Sequence, residues 1–504
     1  MSGALPLVEE LTPLPDPLAT CRCFADLPFL LFLDSATDPE HLGRHSFLAA
    51  DPATVVRSKN ILTQQRSPAG EWIRVAGDPL TRMRTLLAPH QVEPVPELPP
   101  FQGGAAGYIG YDWGAMLERI PRPRYDDLAI PDVVLGLYDW VIAWDHQGQR
   151  AWVISTGIPE QGTARTERAA ERLKFVRKRL AGRRSLEDSL TVAGGGAVRE
   201  GDTGRLTAYP PNRLSAPSYP LPDVPDAERL GLRSNFTRAA YLDAVARTIE
   251  YVYAGDIFQA NLSQRLQAPL REPPLELYAR LRRVNPAPFA AYLDFGDVVV
   301  ASSSPERFLR VHDGPLVEAR PIKGTRPRGI SPEHDLLLAL SLAESDKDRA
   351  ENVMIVDLLR NDLSRVCRPG SVRVPELFAL EHYATVHHLV STVVGELAPE
   401  HDPADLLRAA FPGGSITGAP KVRAMQIIAE LEPTQRAVYC GSIGYWSLSG
   451  TLDLSIVIRT CLALGRDVYF QVGGGIVADS DPEQEYRETL DKAAGVIAAL
   501  AGAS

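Results

Sequence analysis

The stretch LDLSIVIRTCLAL (452–464), GGG (473–475) and DSDPEQEYRETLDKAAGVIAAL (479–500) places a strand, a glycine run and a helix in succession. The first segment is an apolar run typical of a buried strand. The last segment predicts a helix, because Asp481 before Pro482 is a good N-cap and first-turn pair. Arg459 lies inside the apolar run, and a charge in such a place is usually paired or functional.

Strands and helices follow in mixed order along the rest of the chain. Short apolar runs such as LPFLLFLD (27–34) and LYDWVIAWD (137–145) are separated by turn signals and predict strands. The segment SNFTRAAYLDAVARTIEYVYAGD (234–256) predicts a capped helix that Gly255 ends. Because strict strand–helix alternation is absent, a doubly wound sheet is not favoured, and we predict an α+β fold with large antiparallel sheets.

The composition changes between residues 185 and 232, where Pro, Gly and Ser accumulate. Such a segment does not easily support a regular element. We therefore predict an N-terminal region over 1–184, a linker or surface excursion over 185–232, and a second domain over 233–504. Segments from both ends are expected to contribute to the fold, so the boundary is not a clean cut.

Composition restricts the classes of function. The 504 residues are 45% hydrophobic and 23% charged, as in ordinary globular proteins, and the formal net charge is -10. This charge argues against a nucleic-acid or membrane-surface binder. The N-terminus lacks a signal-peptide pattern, and no apolar run reaches the roughly 18–20 residues of a membrane span. Five scattered cysteines without CxxC spacing indicate a reducing compartment, so we expect a cytoplasmic protein.

Two predicted helices carry carboxylates at helical spacing. Asp348 and Glu351 are three apart in the segment 346–366, and Glu485, Glu488 and Lys492 form one stripe of the helix within 479–500. Two helices that direct carboxylates into one cleft would make a hard-oxygen site suited to Mg2+ and an anionic substrate. The alternative is that these charges are solvated helix faces. The glycine run is likewise either a tight turn or a place where backbone N–H groups approach an anion.

The C-terminal half, about 234–500, resembles the chorismate-utilising enzymes, which include anthranilate, aminodeoxychorismate, isochorismate and salicylate synthases. Nine ordered motifs carry the resemblance: GDIFQANLSQR (255–265), SSSPERF (302–308), RPIKGTRPRG (320–329), ENVMIVDLLRND (351–362), VHHLVS (386–391), FPGGSITGAPKVRAM (411–425), YCGSIGY (439–445), LSIVIRT (454–460) and GGGIVADSDPEQEYRET (473–489). The resemblance implies a β-sandwich of the kind found in anthranilate synthase component I, with two large antiparallel sheets and helices packed outside. It also implies that 233–504 is the chorismate-binding catalytic domain.

The resemblance implies a role for each matching residue. One Mg2+ would be held by Glu351 and Glu488, with Glu485 and Asp348 near it, although the family usually has Glu where Asp348 stands. Glu306 matches a general acid, and His388 matches a histidine near the reacting ring. The residues that match substrate-binding positions are Gln259, Ser415, Tyr439, Arg459, Gly473, Gly474, Gly475 and Lys492.

Two positions distinguish the members of this family. Isochorismate and salicylate synthases activate water with a lysine where this chain has Gln259, and a neutral amide is no general base, so amination is expected. Anthranilate synthases usually have alanine where this chain has Lys323, whereas aminodeoxychorismate synthases have lysine. The resemblance therefore implies amination of chorismate towards 4-aminobenzoate and folate. Anthranilate synthase is the alternative enzyme, and a non-catalytic tryptophan-sensing subunit is the alternative from another class.

The resemblance also implies partners. This chain has no recognisable glutaminase, so a glutamine amidotransferase subunit is expected to supply ammonia. In relatives a tryptophan binds between the two halves, and the matching segments here are FLDS (32–35) and NPAPF (285–289), with Ser35, Pro286 and Phe289. The first of these segments has Asp34 in place of a common glutamate, and the second has Phe289 in place of a common tyrosine.

Overall fold

The computed structural model of the chain describes residues 6–37, 42–187, 215–382 and 386–502, leaving aside the side chains of 183–187. The described strands are β1 (Leu7–Glu10), β2 (Leu30–Asp34), β3 (His45–Ala49), β4 (Thr54–Lys59), β5 (Leu62–Arg66), β6 (Trp72–Arg74), β7 (Gly104–Ile109), β8 (Val133–Tyr138), β9 (Trp140–Asp145), β10 (Arg150–Ser155), β11 (Tyr219–Pro220), β12 (Arg233–Ser234), β13 (Gln259–Pro269), β14 (Phe289–Asp294), β15 (Val298–Ser304), β16 (Arg307–Val311), β17 (Leu316–Ala319), β18 (Ile322–Pro327), β19 (Arg373–His382), β20 (Val386–Glu396), β21 (Gly418–Ala419), β22 (Ser442–Ser447), β23 (Leu452–Ile456), β24 (Thr460–Leu464) and β25 (Asp467–Ile476).

The described α-helices are α1 (Pro17–Cys23), α2 (Pro79–Leu87), α3 (Gly114–Leu117), α4 (Gly162–Glu187), α5 (Ala227–Leu230), α6 (Arg238–Tyr253), α7 (Pro274–Val284), α8 (Pro332–Ala343), α9 (Asp346–Ser364), α10 (Pro403–Ala410), α11 (Lys421–Leu431) and α12 (Pro482–Ala501). Short 3-10 helices span Ala88–His90, Tyr111–Trp113 and Gly414–Ile416. In the described residues, none of the helices combines the length and the apolar character needed to cross a membrane.

The strands form two large sheets. Sheet one has the order β1-β10-β9-β3-β2-β14-β15-β24-β25-β13-β12-β11, with β21 beside β13. Sheet two has the order β18-β20-β17-β16-β23-β22-β7-β8-β4-β5-β6, with β19 beside β20. All pairings between these named strands are antiparallel, as the sequence predicts. Strands from both ends of the chain contribute to both sheets.

The core fills three layers because strand residues on both faces are apolar. Leu31 of sheet one and Tyr108 of sheet two belong to the cluster between the sheets. Leu30, beside Leu31, points to the opposite face and packs in the cluster that α4, α7 and α12 cover. Ile355 of α9 belongs to a third cluster, on the outer face of sheet two. The result is two packed sheets with helices outside.

The chain crosses from one sheet to the other at two adjacent places. Strand β15 belongs to sheet one and β16 to sheet two, so the link Pro305–Glu306 is a crossover. Strand β23 belongs to sheet two and β24 to sheet one, so the link 457–459 is a second crossover. Backbone hydrogen bonds hold each link beside a strand that borders the other link, from Ile456 N of β23 to Glu306 O at 3.0 Å and from Ser303 N of β15 to Arg459 O at 3.2 Å.

Part of the predicted linker has regular structure. The described residues 215–232 contain β11 and α5, and β11 pairs with β12, which joins β13 at the edge of sheet one. Leu221, Val224 and Leu230 are buried against the adjoining helices and strands. Residues 188–214 of that predicted linker lie outside the described residues. The division of the chain into regions therefore stays a prediction.

Candidate active site

Glu306 lies on the first crossover and is buried. Its Oε1 accepts a hydrogen bond from Ser415 Oγ at 2.8 Å. Burial raises the pKa of the Glu306 carboxyl to about 7, against the opposing effects of Ser415 and of the Lys323 ammonium. A carboxyl that is part protonated at neutral pH is suited to general acid catalysis.

Arg459 lies on the second crossover, and its prediction as an interior strand residue is wrong. The apolar run 452–464 is divided, because the chain leaves sheet two after Ile456 and enters sheet one at Thr460. Arg459 adopts a left-handed backbone conformation with φ of 51° at this break. Its Nη1 is 3.4 Å from Asn285 Oδ1, and within the described residues no carboxylate forms an ion pair with it. The guanidinium is therefore available to an anionic ligand.

Lys323 lies on β18 and faces the same cleft. Its Nζ donates to Ser415 O at 3.4 Å and is 4.0 Å from Glu351 Oε2. Ser415 therefore contacts both Lys323 and Glu306. Burial lowers the pKa of the Lys323 ammonium, while the Glu351 and Glu306 carboxylates oppose this shift. A lysine amine with a lowered pKa is a better nucleophile than a surface lysine, because more of it is neutral.

Carboxylates from α9 and α12 meet near Lys323. Lys492 Nζ is 2.6 Å from Glu488 Oε1 and donates to Gly473 O at 2.9 Å. Burial opposes ionisation of Glu488, but the charge and hydrogen bond of Lys492, together with the charges of Lys347 and Lys323, outweigh it and lower the pKa of Glu488. Burial raises the pKa of Glu351 and, together with the Glu488 charge, that of Glu485. The carboxylate oxygens of α9 and α12 therefore lie close together beside Lys323. Lys323 and Lys492 neutralise only part of their negative charge.

The four carboxylates do not form a preassembled coordination sphere. Among the described residues no group of three or more His, Cys, Asp or Glu side chains is close enough to hold a metal ion. Asp348 Oδ2 instead accepts a hydrogen bond from Arg326 Nη2 at 2.9 Å, so this carboxylate already has a cationic partner. The oxygen ligands of Glu351, Glu485 and Glu488 fit the chemistry of Mg2+, which takes one or two protein carboxylates and keeps several waters.

The glycine run lies inside a strand and is no turn. Gly473, Gly474 and Gly475 belong to β25 and pair with β13, whereas β24 pairs with β25 only over Asp467–Phe470. Added Cβ atoms would lie 2.5 Å from Leu262 O at Gly473, 2.9 Å from Glu485 Oε2 at Gly474, and 1.8 Å from Gln259 Nε2 at Gly475. A side chain is excluded at Gly473 by the neighbouring strand β13, at Gly474 by the Glu485 carboxylate and at Gly475 by Gln259.

Gln259 and His388 complete the predicted set near the reacting groups. Gln259, the first residue of β13, is buried, and no described atom makes a hydrogen bond to its Oε1. His388 lies on β20, with its Nδ1 2.9 Å from Thr325 Oγ1. Burial, assisted by the Arg459 charge, lowers the pKa of His388 to about 4. His388 is therefore neutral at physiological pH.

A buried ion pair, not predicted from the sequence, holds several of these segments together. Arg436 donates through Nη2 to Glu432 Oε1 at 2.7 Å, through Nη1 to Ile416 O at 3.2 Å, and also to Asn261 O. Its carbonyl accepts from Tyr439 N at 3.1 Å. The pair connects the Ser415 turn, the start of β13 and the Tyr439 turn. In the sequence an acid and a base four apart, separated by a proline, indicate only an exposed loop.

A second cavity, of about 290 Å3, lies between the two sheets. Ser35 and Phe289, two of the residues predicted to contact tryptophan, line it. Ser35 Oγ donates to His45 O at 2.6 Å, and Pro288 O lies 3.1 Å from the same hydroxyl as a second acceptor. Pro286 is exposed and does not line the cavity. The first residue of this segment that lines the cavity is Pro288. Tryptophan binding stays a prediction.

Comparison with known proteins identifies the family. A family model described as chorismate binding enzyme matches residues 31–498, and the chain belongs to this family. It is 42% identical over 468 residues to aminodeoxychorismate synthase component 1 of Salmonella typhimurium, covering 92% of each chain. It is 42% identical over 429 residues to anthranilate synthase component 1 of Thermus thermophilus, covering 84% of this chain and 82% of the relative.

The fold prediction is confirmed by a solved structure. Anthranilate synthase component I from Streptococcus pneumoniae is 31% identical to this chain and matches it with a TM-score of 0.72, over 90% of this chain and 92% of that one. The two large antiparallel sheets with helices outside are therefore the architecture that the family resemblance implies.

Proposed function

We propose that this chain is the synthase component that converts chorismate and ammonia to 4-amino-4-deoxychorismate, a precursor of 4-aminobenzoate and folate. Relatives at 42% and 38% identity, from Salmonella typhimurium and Escherichia coli, are named aminodeoxychorismate synthase component 1. Overall identity does not separate this activity from anthranilate synthesis, because the Thermus thermophilus anthranilate synthase component 1 is also 42% identical.

The observation that carries the proposal is the position of Lys323. Its amine lies in the cleft beside Ser415, and Ser415 in turn contacts Glu306. The sequence differs from the anthranilate synthase pattern at this lysine. A primary amine beside a carboxyl that is suited to act as an acid supports covalent amination chemistry, which an alanine side chain cannot perform.

Lys323 has a defined task in this reaction. The neutral amine attacks ring C2, both conjugated ring double bonds shift, and the C4 hydroxyl leaves with a proton from Glu306 as water. The nitrogen on C2 then loses a proton. Ammonia attacks C4, both double bonds shift back, and the Lys323 nitrogen leaves C2 and takes up a proton that the new C4 nitrogen loses. The enolpyruvyl group stays attached, so no pyruvate is released. One difficult displacement is divided into two easier ones.

The remaining polar groups bind and orient the substrate. Chorismate carries two carboxylates, and the Arg459 guanidinium and Lys492 ammonium offer charge-assisted hydrogen bonds to such groups. Gln259 replaces the lysine that would activate water, so it disfavours addition of water at C2. Neutral His388 contributes a hydrogen-bonding group without adding positive charge. Tyr439 and Ser415 supply hydroxyls on segments that Arg436 holds.

Mg2+ is the metal that the family and the oxygen ligands favour. Glu351 and Glu488 would hold it, with Glu485 close to them. When bound, the ion would neutralise a substrate carboxylate and stabilise charge that develops on the ring. The proposed role of Asp348 is to keep Arg326 and β18 in place, because it is paired with that arginine.

Several relatives are named component 1 of their enzyme, which implies a second component. We propose that this partner is a glutamine amidotransferase that releases ammonia from glutamine. Free ammonium should replace it in vitro, because the chorismate site is contained in this chain.

Product analysis tests the proposal. The purified chain is incubated with chorismate, Mg2+ and ammonium, with and without aminodeoxychorismate lyase. The proposal expects 4-aminobenzoate only when the lyase is present. Anthranilate formed without the lyase would show that the chain is an anthranilate synthase component. Unchanged chorismate in both reactions would favour a non-catalytic subunit.

A further inference from the structure

The outer side of α8 carries apolar side chains that no described residue covers. The exposed fractions are 60% for Leu336, 65% for Leu337 and 45% for Leu340, and Ile330, just before the N-cap Ser331, is 96% exposed. Leu340 lies four residues from Leu336 and three from Leu337, so these leucines share one helix face. Single exposed leucines are ordinary, but a cluster marks an interaction site. We call Ile330, Leu336, Leu337 and Leu340 the α8 patch.

The inner side of the same helix lies against the segment that carries Lys323. Leu342 is buried, and its Cδ1 is 2.8 Å from where a Cβ on Gly324, the residue after Lys323, would lie. An α-helix with its side chains is roughly 10–12 Å across. A protein bound to the α8 patch would therefore lie within about one helix diameter of the Lys323 strand.

Side-chain hydrogen bonds fix α8 in this position. Asp335 accepts two hydrogen bonds from Arg328, at 2.8 and 2.7 Å, and one from Gly329 N at 2.7 Å. Asp335 Oδ1 is also 2.9 Å from Nε2 of the buried His387. The helix is thus tied to β20 and to the end of β18, and it presents the α8 patch as a preformed surface.

The need for neutral ammonia at Lys323 indicates which protein binds the α8 patch. Under the proposed function the nucleophile is neutral ammonia, which water at neutral pH converts largely to ammonium. A source of ammonia next to the Lys323 strand would avoid that loss. A standard protein interface covers about 800 Å2 on each partner, with an apolar centre and a polar rim. The α8 patch supplies such a centre, with exposed Glu333 and Glu344 at its ends.

A second copy of this chain fits the surface less well. A two-fold contact places the same residues opposite each other. It would bring the acidic side chains Glu333 and Glu344 of two copies together, and like charges across an interface oppose association.

We propose that the α8 patch is the docking surface for the glutaminase component that supplies ammonia to the Lys323 site. The inference rests on the proposed function, since it takes ammonia as the substrate. The inference places the glutaminase component on the face of the molecule that carries the α8 patch.

The test compares a double variant, Leu336→Ser with Leu337→Ser, with the wild type and with Ile61→Ser. Ile61 is 80% exposed in the turn between β4 and β5, so this control removes an exposed apolar side chain elsewhere. Binding of the glutaminase from the same organism is measured by sedimentation velocity, which does not depend on catalysis. Chorismate amination is measured separately with ammonium and with glutamine plus glutaminase.

We expect the wild type and Ile61→Ser to bind the glutaminase, and the double variant to bind it at least about ten-fold more weakly. The double variant should keep its ammonium-dependent rate and lose glutamine-dependent product in parallel with binding. Equal binding of the glutaminase by the double variant and the wild type would overturn the inference. So would a wild-type homodimer that the double variant dissociates. Absence of ammonium-dependent amination in the wild type would instead refute the proposed function, and the sedimentation result would still report on the surface.

Discussion

Replacing Arg436 with methionine should strongly destabilise the protein. Arg436 is 1% exposed and its partner Glu432 is 2% exposed at the side chain, and their closest atoms are 2.7 Å apart. Methionine keeps much of the volume but none of the donors. The substitution leaves the Glu432 carboxylate buried, and the carbonyls of Ile416 and Asn261 each lose a hydrogen bond.

The expected cost follows from this burial. Removing one partner of a buried ion pair costs about 3–5 kcal/mol, because the other charge stays buried without a counter-charge. Among the described residues, the Glu432 carboxylate keeps only its hydrogen bonds from Ser263 N and Oγ, both at 2.8 Å. Whole domains are stable by only about 5–15 kcal/mol, so the loss is a large fraction of the total. The pair Arg360–Asp357 is the matched control, with side chains 53% and 63% exposed. For Arg360→Met we expect a change of about 1 kcal/mol or less.

Urea unfolding at constant pH measures these differences in the free energy of unfolding. The double variant Arg436→Met with Glu432→Met removes both charges, and the two methionines can pack together. Its loss should therefore be smaller than the sum of the two single losses by at least about 1 kcal/mol. Equal losses for Arg436→Met and Arg360→Met, or strict additivity in the double variant, would refute the reasoning.

Three further results are expected. With the free-ammonia concentration held constant, kcat should depend on pH in a bell shape, because the reaction needs a neutral Lys323 amine, which high pH favours, and a protonated Glu306, which low pH favours; Glu306→Gln should be slow and should lose the fall on the high-pH side. Gly474→Ala should fold but lose most activity, because its Cβ displaces the α12 carboxylates, whereas Gly182→Ala should remain active, because outside its own helix no described atom lies within 4 Å of the added Cβ. We expect L-tryptophan to bind in the cavity beside Ser35 and L-phenylalanine to bind more weakly. Calorimetric titration measures both dissociation constants, and equal values for the two amino acids would contradict this expectation.

Local signals predict the helices that carry the candidate site. Asp481 caps α12, as expected from the sequence, and Thr237 caps α6 within the segment predicted to form a capped helix, since capping depends on residues a few positions apart. The spacing of Glu485, Glu488 and Lys492 on α12 follows directly from helix geometry. Such features need no knowledge of the rest of the fold.

Features that depend on pairing between distant segments cannot be predicted from local sequence patterns. The apolar run around Arg459 indicates one strand, but its halves pair with β16 and β15, which lie in different sheets. Gly473–Gly475 are required by β13 and by Glu485 of α12, and β13 is distant in the chain. Residues 219–220 pair with β12 although the segment has a linker composition. Periodicity and composition depend on residues that are close in the sequence. They therefore cannot predict contacts between residues that are far apart in it.

The most direct test of the account compares the wild type with Lys323→Ala, supplied with chorismate, Mg2+, 15N-ammonium and aminodeoxychorismate lyase. The account predicts 15N-labelled 4-aminobenzoate from the wild type. It predicts none from Lys323→Ala, although that variant should still bind chorismate in an equilibrium titration. Unchanged 4-aminobenzoate formation by Lys323→Ala would contradict the account, because the nitrogen would then reach C4 without the lysine amine.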